Sequence, residues 1–160
     1  MSRMATLAIA ALVAAAPLAG CGPAGPSADG PTYSRFQFSC CDKSVMKQTW
    51  KPGSTVELHW IAKSATHTTD SKAYPITLSA VLTGPFGDVQ TLKNVATSGG
   101  TVSRMVTTPL IATNDRNPIA PVSTFVLPAD LAPGYYNLTT KVDSGGGNWY
   151  SAGGIVQVGP

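Results

Sequence analysis

The chain has 160 residues, of which 12% are charged and 43% hydrophobic, with 16 Gly and 13 Pro. Its formal net charge of +3 is too small for the basic face of a nucleic-acid-binding protein, and its hydrophobic fraction excludes a charged disordered tail. Only eight residues are acidic, which disfavours a hydrolase that depends on paired carboxylates or on a carboxylate-bound metal.

The first twenty residues are typical of a secretory signal peptide. Arg3 is the only charged residue in this segment, and an apolar run follows it over residues 5–16. That run is shorter than the about 20 apolar residues that a membrane span needs, but it fits the core of a signal peptide. Pro17 ends any helix that the run forms, and Leu-Ala-Gly-Cys follows at 18–21. We therefore predict that residues 1–20 are a signal peptide.

The Leu-Ala-Gly-Cys sequence at 18–21 resembles the lipobox of bacterial lipoproteins, in which Leu and two small residues precede a Cys. The resemblance implies cleavage before Cys21, a diacylglyceryl group on its thiol and acylation of the new amino terminus. Two or more acyl chains hold a protein durably at a bilayer, whereas a single chain holds it only marginally. The expected location is therefore the extracytoplasmic face of the cell membrane. The alternative is a soluble secreted protein in which Cys21 is incidental.

Residues 21–31 are rich in Gly, Pro, Ala and Ser, which predicts a flexible tether after the lipidated Cys21. Residues 32–160 then form one domain, in which apolar and polar residues alternate in short runs between turns rich in Gly and Pro. The predicted strands lie at 55–61, 76–83, 89–93, 101–108, 123–127, 135–142 and 155–158. Seven or eight short strands in a chain of this length indicate an all-β, antiparallel β-sandwich.

Two motifs resemble those of immunoglobulin-like domains. Residues 53–60 resemble the second-strand pattern G-x-x-V-x-L-x-C, and residues 134–138 resemble the later G-x-Y-x-C pattern. The resemblance implies an immunoglobulin-like sandwich in which Tyr136 is the corner tyrosine that bonds to upstream backbone. It also places Trp60 and Leu138 at the two positions of the inter-sheet disulfide, so that packing replaces the covalent bond.

Cys40 and Cys41 are adjacent, and neighbouring side chains of a strand point to opposite faces. We predict an oxidised structural pair. The alternatives are a redox or metal-sensing pair, one buried thiol beside an exposed one, or an intermolecular bridge. A copper-binding alternative uses Cys40, Cys41 and Met46, but neither C-x-x-C nor H-x-x-x-H spacing occurs. We therefore assign no metal site and expect no cofactor.

The aromatic residues Trp50, Trp149 and Tyr150 fall at or near predicted loops or strand ends. Exposed aromatic side chains stack on sugar rings or anchor a protein partner, so these three are candidate ligand-binding residues. The alternative is that Trp50 and Trp149 cap the two open ends of the sandwich.

The sequence lacks a G-x-S-x-G nucleophile elbow and a close pair of carboxylates, so we expect no enzyme activity. The predicted function is that of a lipid-anchored, non-catalytic interaction or structural module of the cell envelope. Its expected partners are the membrane, through the N-terminal lipid, and an envelope protein or polysaccharide, with no nucleic acid. The alternative is an envelope ligand-binding protein for carbohydrate or copper.

Overall fold

The computed structural model describes residues 30–160, so the predicted signal peptide, Cys21 and most of the tether lie outside the described residues. In chain order the elements are β1 (Tyr33–Cys40), α1 (Lys43–Lys47), β2 (Thr49–Trp50), β3 (Thr55–Thr68), β4 (Pro75–Phe86), α2 (Val89–Ser98), β5 (Arg104–Thr107), β6 (Ile111–Asn114), β7 (Val122–Val126), β8 (Gly134–Asp143) and β9 (Trp149–Val158). In this part of the chain, no helix is both long enough and apolar enough to cross a membrane.

The strands form two sheets that pack against each other, which confirms the predicted all-β sandwich. One sheet has the order β1-β3-β7, and the other has the order β2-β9-β8-β4-β5 with β6 also paired to β4. The chain changes sheet five times, and its crossings between β3 and β4 and between β7 and β8 resemble two crossings of the immunoglobulin-like sandwich. β2 pairs with β9 in parallel, whereas the remaining pairs are antiparallel.

The hydrophobic core lies between the sheets because inward-facing residues alternate along each strand. In β4 every second residue from Ile76 to Phe86 is buried. The buried side chains form two clusters: the larger one contains Leu58, Phe125 and Tyr136, among others, and the smaller one contains Phe38, Trp60, Ile76, Leu78 and Val142. Trp60 and Leu138 are both buried, but they belong to different clusters. The two residues that the resemblance places at the inter-sheet disulfide therefore pack in separate parts of the core.

The predicted strand at 89–93 is wrong, because this segment is the start of helix α2. Asp88 caps the helix by accepting a hydrogen bond from the Thr91 backbone N–H. Gly99 ends the helix in the left-handed conformation, at φ 74°, and donates its N–H to the Val95 carbonyl. Both capping residues lie outside the predicted segment 89–93. Five residues are too few to distinguish the helical repeat of apolar residues from the alternation of a strand.

The other predicted strands coincide with strands of the structure, although their ends differ. β3 continues to Thr68, β9 begins already at Trp149, and β5 occupies only Arg104–Thr107 of the predicted segment 101–108. The sequence did not predict β1, β2, β6 or α1. In β1 most residues are half-buried rather than alternately buried and exposed, which explains why period-two alternation is weak there.

Candidate functional site

An open cleft of about 670 Å³ lies between β1 on one side and the β8–β9 hairpin on the other. We call it the β1–β9 cleft and define it by residues 35–38 of β1 and residues 148–150 at the start of β9. Its floor is apolar, because the side chains of Phe36, Phe38 and Ile76 that line it belong to the smaller core cluster or pack against it. The cleft is therefore an opening from the surface onto the core.

Trp149 and Tyr150 line this cleft together and remain largely exposed, at 59% and 44% of their surface. Tyr150 pairs with the buried Val142 of β8, so its side chain lies on the face of the sheet that looks toward the core. Trp149 lies on the opposite face, where the Lys141 ammonium is 5.4 Å from its ring centroid. Partial burial of the Tyr150 hydroxyl raises its pKa.

A glycine-rich turn holds these aromatic residues at the mouth of the cleft. Gly145, Gly146 and Gly147 all have positive φ angles, of 77°, 61° and 83°, which favour glycine strongly. The Asn148 N–H donates to the Gly145 carbonyl, and the Asn148 carbonyl accepts from the Ser144 N–H at 2.9 Å. The turn thus fixes the register in which β9 begins.

The opposing wall of the cleft consists of charged groups that satisfy one another. The Arg35 guanidinium pairs with Asp115 and, at 2.8 Å, with Asp70. The Tyr74 backbone N–H donates a hydrogen bond to the Asp115 carboxylate at 2.8 Å. The centroid of the Tyr74 ring lies 4.6 Å from the guanidinium carbon of Arg35. A hydrogen bond from the Lys72 backbone N–H lowers the pKa of Asp70, and the Tyr74 hydroxyl and Arg35 lower it further. With its charges paired internally, this wall favours an uncharged ligand.

Trp50 is not part of the cleft, so its predicted role as an exposed ligand-binding aromatic is wrong. Its side chain is only 4% exposed, and its indole N–H donates to the Val45 carbonyl at 3.2 Å. The ring packs edge-on against Phe125, with the ring centroids 6.1 Å apart. Trp50 pairs with Val158, at the opposite end of β9 from Trp149, where it fills the core.

A disulfide joins Cys40 and Cys41 at the end of β1, and both residues pack partly buried against the larger core cluster. Sulfur atoms that are bonded to each other are not thiolate ligands. Met46 packs against the same cluster, and the end of its side chain lies directly over Gly154, so that a side chain at position 154 would displace it. Within residues 30–160, no three His, Cys, Asp or Glu side chains are grouped so that they could hold a metal ion. The Cys40–Cys41 disulfide and the Met46 side chain are therefore explained by their packing against the core.

Neither the models of known protein families nor the curated proteins give a match to this chain. Its function must therefore be inferred from the cleft and from the N-terminal sequence. Among the described residues that line the cleft there is no His or Cys, and the carboxylate of Asp115 is paired with Arg35. What the arrangement offers chemically is an apolar floor, two exposed aromatic side chains and a polar rim whose Arg35 and Asp115 charges are paired.

Proposed function

We propose that this chain is a lipid-anchored, non-catalytic interaction module at the extracytoplasmic face of the cell membrane, and that it contacts a partner protein through the β1–β9 cleft. The N-terminal sequence supports the location, since the apolar run at 5–16 and the lipobox-like sequence at 18–21 occur in the order that lipoproteins require. The small net charge of +3 fits attachment by a lipid rather than by electrostatic attraction.

The single observation that carries the binding role is that Tyr150 stands exposed beside an apolar floor, with Trp149 exposed next to it on the other face of the sheet. Exposed apolar surface that is rimmed by polar groups marks interaction sites, and aromatic side chains supply much of the energy of protein interfaces. The floor adds Phe36 to this surface. A partner that covered these three side chains would gain hydrophobic free energy without having to pair a buried charge.

A saccharide ligand is the second candidate, and the exposed indole of Trp149 beside Asn148 favours it. An indole offers its face to the apolar side of a sugar ring, while an amide can bond to hydroxyl groups. Because Trp50 and Trp60 are buried, a fluorescence change on adding soluble envelope polysaccharide would report on Trp149.

The test is photo-crosslinking in intact cells with benzoylphenylalanine in place of Tyr150. The control carries it in place of Met105, which is also exposed but lies on β5, at the opposite edge of the same sheet. We expect protein adducts from position 150 and none from position 105. Equal labelling from both positions, or no adduct from position 150, would contradict the proposed role of the cleft, whereas adducts that polysaccharide-degrading enzymes remove would support the saccharide.

A further inference from the structure

β9 is an edge strand along most of its length. It pairs with β8 from Trp149 to Val158 without a register shift, but on its other side β2 pairs only with Gln157 and Val158. Within residues 30–160, the outer edge of β9 from Trp149 onward has no strand partner until β2 begins, and residues 149–153 are exposed. A row of unpaired backbone groups therefore runs beside the β1–β9 cleft.

Two hydrogen bonds show which backbone groups face this open edge. The Gly159 N–H donates to the Trp50 carbonyl of β2 at 2.9 Å, so the odd-numbered residues direct their backbone groups away from β8. The Ala152 carbonyl accepts from the Thr140 hydroxyl of β8, so the even-numbered residues face β8. Trp149, Ser151 and Gly153 therefore present their N–H and C=O groups to the open edge.

Proteins usually protect such an edge with a Lys, a Pro, a bulge or a very short strand. Residues 149–153 read Trp-Tyr-Ser-Ala-Gly, which includes no charge and no Pro. Two other edges carry such features: β7 is short and lies between Pro121 and Pro128, and the pairing of β1 shifts its register between Arg35 and Phe36. The start of β9 has none of these features and is therefore open to a further strand.

We propose that an extended, uncharged segment of a partner protein adds as a strand to β9 at residues 149–153. This inference rests on the proposed function and specifies how the partner binds. The added strand continues the line of β2, which already pairs with this edge, and it ends where Met46 covers Gly154. Main-chain hydrogen bonds to the edge supply affinity, and alternate side chains of the segment reach Tyr150 and Phe36 in the cleft.

The chain's own tether is a poor occupant of this edge. Residues 21–31 contain Pro23, Pro26 and Pro31, and proline lacks the N–H that a strand ladder needs. A second copy of the chain, paired through its own β9 edge, is an outcome that the test must separate from a partner segment.

Ser151→Pro tests the proposal, because it removes an N–H from the open edge and leaves the hydrogen bonds to β8 in place. Thr124→Pro is the matched control. Since the Leu127 N–H and the Pro121 carbonyl face β3, the Thr124 N–H faces the open edge of β7. Both variants therefore place a proline at an exposed edge position that tolerates it.

The probes are heptapeptides selected from a random display library against the full chain. We expect Ser151→Pro to bind them about tenfold more weakly and Thr124→Pro to bind them within about twofold of the unmodified chain, since the first loses an edge hydrogen bond and is blocked sterically. A second measurement does not depend on a variant that folds: hydrogen exchange in the unmodified chain. Bound peptide should protect the N–H groups of Ser151 and Gly153 and leave that of Ala152 unchanged.

Equal binding to Ser151→Pro and the unmodified chain, or a library that yields no binder, overturns strand addition. A concentration-dependent dimer that Ser151→Pro dissociates would assign the edge to a second copy and overturn the partner segment. If photo-crosslinking from position 150 persists while the peptides do not distinguish the variants, strand addition fails and the proposed function stands. If that crosslinking is absent, the proposed function itself fails.

Discussion

The Tyr136 hydroxyl donates a hydrogen bond of 2.7 Å to the Ala132 carbonyl, and the Tyr136 side chain is fully buried. This is the corner tyrosine that the G-x-Y pattern at 134–138 predicted. Burial raises the pKa of Tyr136. Because the pKa in the folded chain lies above that of the unfolded chain, the stabilisation by the neutral hydroxyl is complete below about pH 10. It is lost as the pH rises through the folded pKa.

Tyr136→Phe should lower the free energy of unfolding by about 1 kcal/mol, the usual net value of one hydrogen bond. The measurement is urea denaturation at neutral pH and again above pH 10, where the variant should lose less stability than the unmodified chain. Tyr135→Phe is the control, because Tyr135 neighbours Tyr136 but is only half-buried. Equal stability of Tyr136→Phe and Tyr135→Phe would mean that the corner hydrogen bond contributes nothing.

At the scale of elements, α2 shows that two capping residues determine whether a short segment forms a helix. Leu92 is its one buried residue, so packing alone holds the helix weakly. Asp88 accepts from both the backbone N–H and the hydroxyl of Thr91, each at 2.8 Å. The hydrogen bond from the Thr91 N–H is the main cause that lowers the pKa of Asp88, and the Thr91 hydroxyl adds to it. The cap is therefore strongest when Asp88 is ionised.

Asp88→Ala should fray the first turn of α2, whereas Asp88→Asn should keep it, since both Asp and Asn are good N-caps. Amide hydrogen exchange of Thr91 and Leu92 measures this directly. Because the pKa of Asp88 is lowered in the folded chain, the charged cap contributes fully above about pH 4 and is lost as the pH falls through the folded pKa. In Asp88→Asn this acid-dependent loss of protection should vanish, and its persistence would show that another group causes it.

Strict alternation made β4 and β8 predictable, because both faces of these central strands repeat every two residues over their whole length. The cleft was predictable only in part. Trp149 and Tyr150 follow a glycine-rich turn, and that position indicated exposure. The ion pair of Arg35 with Asp115 joins residues 80 positions apart, for which a single sequence carries no local signal. The burial of Trp50 is not predictable from its neighbours in the sequence, because Phe125, a residue of the other sheet, covers its ring.

At the scale of the whole molecule, the start of β1, to which the predicted tether connects, lies at the same end of the sandwich as the cleft. The tether leads into β1 at Tyr33, and Arg35 already lines the cleft. Residues 21–31 span at most about 40 Å when fully extended. A lipid on Cys21 would therefore keep the cleft close to the membrane surface, within reach of membrane-bound partners and of other envelope components near the bilayer.

The anchor on Cys21 is the claim on which this arrangement depends, and fractionation of cells that produce Cys21→Ala tests it most directly. Ser27→Ala, which changes the tether and leaves the lipobox-like sequence intact, is the control. We predict that the unmodified chain and Ser27→Ala stay in the membrane fraction until detergent is added, and that Cys21→Ala appears in the soluble fraction. Cys21→Ala that remained in the membrane fraction to the same extent as the control would contradict the lipid anchor.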